Sequence, residues 1–86
     1  MLLKQPRPLS EIAKDIEKDI ASYTPLKNRD KYYAMRPYLQ AMKTLDSIND
    51  DYYQDSGRSI VVYFLANASV WKGPLAKTIK LELKSL

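Results

Sequence analysis

The chain contains no cysteine and no histidine. That excludes disulfide bridges, thiolate or imidazole metal sites, and Cys- or His-based catalysis. Carboxylates, lysine, hydroxyls and tyrosine are the groups left for chemistry, and no carboxylate pair comes with a recognisable nucleophile partner or cleft. The chain therefore reads as a protein that is not an enzyme and takes no cofactor. Long apolar runs are also missing. The longest, residues 60–66, spans seven residues, against the roughly 20 that a membrane-spanning helix requires. Residues 1–8 hold a three-residue apolar start, then Lys4 and two prolines, so they lack the apolar stretch of a signal peptide and read as an N-terminal arm. A secreted domain this small would ordinarily be rich in disulfides, so the expected compartment is the cytoplasm.

With 86 residues, the sequence has the length of one domain, near the lower limit for a single core without staples. Its periodicity predicts an all-α fold, a compact bundle of four main helices around a central apolar helix at about residues 56–72. Leu9, Ile12, Ala13, Ile16, Ile20 and Tyr23 recur at helical spacing, which predicts a first helix over residues 10–22 with Ser10 as its cap. Asn28 caps a short following turn of helix that holds Tyr32 and Tyr33. Pro37 is acceptable at a first helical position. It starts a second long helix that runs to about residue 49, with Tyr38, Ala41, Met42, Leu45 and Ile48 as its stripe.

The run SIVVYFLANASVW at residues 59–71 has strong β propensity, but its apolar character lasts far beyond the five or six residues of a typical strand. It reads as the buried central helix, capped by Asp55 or Ser56 and closed by Lys72 and Gly73 before Pro74. Pro74 opens a final helix with Leu75, Ala76, Ile79, Leu83 and Leu86 on one face and Leu81 on the other. Residues 78–84 also alternate as a strand would; their Leu, Lys and Glu content favours helix. No internal repeat or low-complexity tract occurs.

Charge is distributed in blocks: residues 27–43 carry +4, residues 46–55 carry −4 and residues 58–86 carry +4, within a net charge of +4. The acidic block Asp46, Asp50, Asp51 and Asp55 lacks the Gly and Glu register of an EF-hand. It reads as caps and a solvated turn rather than a metal site. Lys77, Lys80 and Lys84 share one face of the last helix. With Arg29, Lys31 and Arg36, and with Tyr32 and Tyr33 to stack on bases, they could meet nucleic-acid phosphates. The alternative is that these lysines simply solvate an amphipathic helix.

Seven tyrosines are present, with adjacent pairs at Tyr32/Tyr33 and Tyr52/Tyr53. Two neighbours in a helix cannot point the same way, so one of each pair is expected in the core and the other at the surface. Exposed tyrosines, together with Leu81 and Trp71, favour a surface for a protein partner or a second copy over a catalytic pocket. The candidate surface is therefore Arg29, Lys31, Tyr32, Tyr33, Arg36, Lys77, Lys80, Leu81 and Lys84. The leading expectation is a small protein-binding module, and the alternative is a basic nucleic-acid-binding protein.

Two resemblances bear on this reading. SEIAK, residues 10–14, resembles the opening of the second helix in helix-turn-helix repressors over five residues. The helical pattern then continues through Asp15, Ile16, Glu17 and Ile20, where that motif requires a turn. The words PRPLSEI, PYLQAM and SIVVYFLANASVWKG together resemble small uncharacterised proteins encoded by bacteriophages and prophages. That resemblance implies a partner in host or phage machinery and assigns no residue a role.

Overall fold

The computed structural model describes residues 7–23 and 32–86. Among them are four α-helices and one minimal hairpin. In chain order these are α1 (Leu9–Tyr23), a 3-10 turn (Tyr33–Met35), α2 (Arg36–Met42), β1 (Asp51–Tyr52), β2 (Asp55–Ser56), α3 (Gly57–Ala66) and α4 (Pro74–Lys84). The fold is thus mostly helical, as its periodicity predicts, but not purely α. Two residues of the acidic block lie in the antiparallel hairpin, which pairs Asp51 with Ser56 and Tyr52 with Asp55. Among the described residues no helix is long and apolar enough to cross a membrane.

One core joins the elements. Ile12, Ala13 and Ile16 of α1, Leu39 and Met42 of α2, Ile60 and Phe64 of α3, and Ile79 and Leu83 of α4 are all buried in it. Helix α2 packs against both α1 and α3, and α1 also packs against α4. Helix α3 is therefore not the all-round buried centre expected of residues 56–72. Val62 and Tyr63 on its outer side are about half exposed, because a chain this short cannot surround a whole helix.

Three helix boundaries depart from expectation, the first because another segment claims the backbone groups and the other two because nearby side chains do. The first amides of α1 are satisfied from across the fold. Leu9 N–H donates to the Asp46 carbonyl at 3.3 Å and Ser10 N–H to the Leu45 carbonyl at 2.9 Å. Ser10 therefore lies inside the helix and is not its cap.

Helix α2 ends at Met42 rather than near residue 49. Thr44 Oγ1 donates back to the Ala41 carbonyl at 2.8 Å, and the carboxylate of Asp50 accepts the N–H groups of Asp46 and Ser47 at 2.9 and 3.1 Å. These bonds unwind the chain while leaving Leu45 buried.

Helix α3 begins as foreseen, with Ser56 Oγ accepting Ser59 N–H at 3.1 Å, and it closes at Ala66. Asn67 then folds its amide back onto the Tyr63 carbonyl at 2.8 Å. Residues 67–73 cross to α4 without regular structure, and Gly73, at φ 119°, is the N-cap of α4 rather than the end of α3. A side chain is poorly tolerated at that φ.

Candidate interaction surface

The crossing segment between α3 and α4 shows which candidate side chains serve the fold. Trp71 lies wholly inside, edge-on to Phe64 with ring centroids 6.1 Å apart. Its Nε1–H donates to Asp19 Oδ2 at 2.8 Å. Trp71 therefore belongs to the core and not to a partner surface, because its indole finds an acceptor at the end of α1 that lies 52 positions away in sequence. Tyr32 is half-buried and its hydroxyl reaches the Val70 carbonyl at 3.5 Å.

Lys80 is also withdrawn from the surface. Its Nζ donates to the carbonyls of Ala68 and Trp71, both at 2.7 Å, and sits 5.7 Å from the centre of the Trp71 ring. Burial, followed by the nearby charges of Lys84 and Lys72, lowers its pKa below the ordinary lysine value. The three lysines of α4 are thus not equivalent, although their spacing makes them look so. Lys80 satisfies the Trp71 carbonyl and joins Trp71 N–H on that of Ala68, while Lys77 and Lys84 remain exposed.

Between those two, one turn from each, lies Leu81, which is 59% exposed. Lys77, Leu81 and Lys84 stand at i, i+4 and i+7 and form one stripe directed away from Ala76, Ile79 and Leu83. The acid on this helix, Glu82, is neutralised. Arg7 Nε and Nη2 donate to its two oxygens at 2.9 and 2.8 Å, and Nη1 donates to Asp15 at 2.6 Å. These hydrogen bonds raise the Arg7 pKa beyond that of a free guanidinium.

The other candidate residues lie elsewhere. Tyr33 is exposed, with Arg36 over its ring at 5.3 Å from the centroid. Both line an open hollow of about 500 Å³ against Glu17, Ile20 and Ala21 of α1. Arg29 and Lys31 lie outside the described residues. The structure thus splits the proposed surface in two, with Tyr33 and Arg36 at the α1–α2 hollow and Lys77, Leu81 and Lys84 on the outside of α4.

A second hollow, of about 220 Å³, was not foreseen. Its floor is Val61, Val62, Leu65, Leu83 and Leu86, and Arg58 and Lys84 stand on its rim. No local pattern signals it, since Arg58 and Lys84 are 26 positions apart and line one hollow only in the folded chain.

The tyrosine pairs split between two environments, but none of the four lies in the core and Tyr52/Tyr53 sits in the hairpin, not a helix. Tyr52 and Tyr32 are half-buried, whereas Tyr53 and Tyr33 are exposed. The described carboxylates of Asp15, Glu17, Asp19, Asp50 and Glu82 are each engaged by Arg7, Lys43, Trp71 or backbone N–H groups.

Comparison of the chain with protein-family models, curated proteins and solved structures found no match. The chemistry of the surface itself therefore carries the functional reading.

Proposed function

We propose that the protein is a non-enzymatic interaction module that binds a protein partner in the cytoplasm through the outer face of α4. The observation that supports this most is Leu81, exposed between Lys77 and Lys84. A phosphate backbone draws on cations and gains nothing from a leucine. An acidic, amphipathic protein surface uses both, covering the apolar side chain and pairing with the two ammonium groups. The competing use, nucleic-acid binding, is weakened by Lys80, whose ammonium is already bound to the protein's own carbonyls. Tyr33 and Arg36, the described aromatic and cation suited to stacking on bases, line a different hollow. The resemblance to phage-encoded chains directs the search for the partner to host or phage machinery.

Affinity capture from a bacterial lysate with wild-type and Leu81→Ala baits tests the reading. The captured protein should bind Leu81→Ala about tenfold more weakly or worse, as for an interface anchor. Sub-micromolar binding to DNA or RNA at about 150 mM salt, lost in Lys77→Glu/Lys84→Glu and indifferent to Leu81→Ala, would replace it with the nucleic-acid reading, since non-specific binding is only about 10⁻⁴–10⁻⁶ M.

A further inference from the structure

The hollow between α3 and α4 is smaller than the roughly 300–1,000 Å³ of small-molecule pockets, so its size suits one inserted side chain. Its floor is apolar, and its charged lining residues are Arg58 and Lys84, with no Asp or Glu side chain among them. Neither cation makes an ion pair among the described residues. The complementary feature is the hairpin that leads into α3. At the hairpin tip Tyr53 is 88% exposed, edge-on to Tyr52 at 4.8 Å, and flanked by the exposed carboxylates of Asp51 and Asp55. These carboxylates likewise make no ion pair among the described residues.

The tip is held on a firm base. Gly57 N–H donates to the Asp50 carbonyl at 2.6 Å and Arg58 N–H to the Ile48 carbonyl at 3.0 Å. Tyr53 adopts φ 56°, a left-handed conformation that costs a non-glycine residue about 1 kcal/mol or more. The hairpin runs straight into α3, whose first turn carries Arg58, so a short stretch of chain joins the tip to the lining of the hollow.

We propose that the occupant of this hollow is Tyr53 of a second copy of the chain. Two copies related by a two-fold axis each seat the tyrosine tip in the other's hollow, with Asp55 of one facing Arg58 of the other. A patch that holds both a projection and its complement is what an isologous pair requires. The inference rests on the reading of the protein as a protein-binding module; the hollow shares Lys84 with that face but not Leu81.

Sedimentation equilibrium from micromolar to about millimolar protein at low salt tests it, spanning the range of a small, charge-assisted interface. The wild type should form a dimer that weakens as salt rises. Arg58→Glu and Asp55→Arg should each be monomeric while keeping the wild-type circular dichroism. Mixing those two variants should restore the dimer, because both contacts then join opposite charges.

Tyr53→Gly relieves the backbone conformation. It should keep or raise Tm while weakening the dimer about tenfold or more, a combination that a purely structural tyrosine would not give. A monomeric wild type over the whole range, or a dimer indifferent to Arg58→Glu and Tyr53→Gly, would overturn the proposal. A dimer lost instead in Leu81→Ala would do the same, while moving self-association to the face already assigned to protein binding.

Discussion

Replacing Lys80 by methionine separates a structural lysine from its solvated neighbours. The substitution keeps most of the apolar stem and removes the ammonium. It abolishes two 2.7 Å hydrogen bonds, to the carbonyls of Ala68 and Trp71. A hydrogen bond to a charged group contributes about 1.5–3 kcal/mol. Two of them set an upper range near 3–6 kcal/mol, from which two corrections subtract. The site is only partly buried, so water can reach the freed carbonyls, and the wild type already bears the cost of desolvating an ammonium, seen in the lowered pKa.

The expected net loss is about 2 kcal/mol. For a domain of this size each kcal/mol lowers Tm by roughly 4–8 °C, giving a drop of about 8–16 °C. Urea unfolding followed by the fluorescence of Trp71, the lone tryptophan and fully buried, measures it directly. Lys77→Met and Lys84→Met are the controls, each expected within about 0.5 kcal/mol of wild type. A Lys80→Met variant as stable as these two would refute the assignment of Lys80 to the crossing segment.

The sign of the pH dependence follows as well. With the folded pKa lowered, the unfolded chain binds more protons in the window from that value up to about 10.4, so the wild type should gain stability over Lys80→Met as pH rises through it.

Arg7→Ala should cost about 1–2 kcal/mol in the same assay, a figure already discounted for a side chain that is 32% exposed. Arg7→Lys should recover little of it, because an ammonium cannot make the paired contact to Glu82. Gly57→Ala should destabilise by about 1–3 kcal/mol, since its Cβ would lie 2.7 Å from the Ser47 carbonyl oxygen and 2.9 Å from Ile48 Cα, both backbone atoms. A neutral result in thermal denaturation would mean that the hairpin base is looser than its hydrogen bonds imply. Calcium or magnesium should leave Tm unchanged against a matched ionic-strength control, since Asp50 is committed to the Asp46 and Ser47 amides. A rise of several degrees would reinstate the acidic block as a metal site.

What could be read from the sequence was whatever depends on neighbours within a few positions. The stripe Ile12, Ala13 and Ile16 marks α1, Ser56 caps α3, Pro74 opens α4, and Leu81 faces away from the core that holds Ile79 and Leu83. Each follows from helical spacing or from local hydrogen bonding, and both are encoded over three or four residues.

The path of the chain at Leu45, the burial of Trp71 and the withdrawal of Lys80 were decided by tertiary structure. Polar groups there are met by distant segments: the Leu45 carbonyl by Ser10 N–H, the Trp71 indole by Asp19, the Trp71 carbonyl by Lys80. Lysines at spacings of three and four look alike along a helix. Only packing reveals that one of them lies over the carbonyls of Ala68 and Trp71 while the others meet water, and only packing brings Arg58 and Lys84 to one hollow.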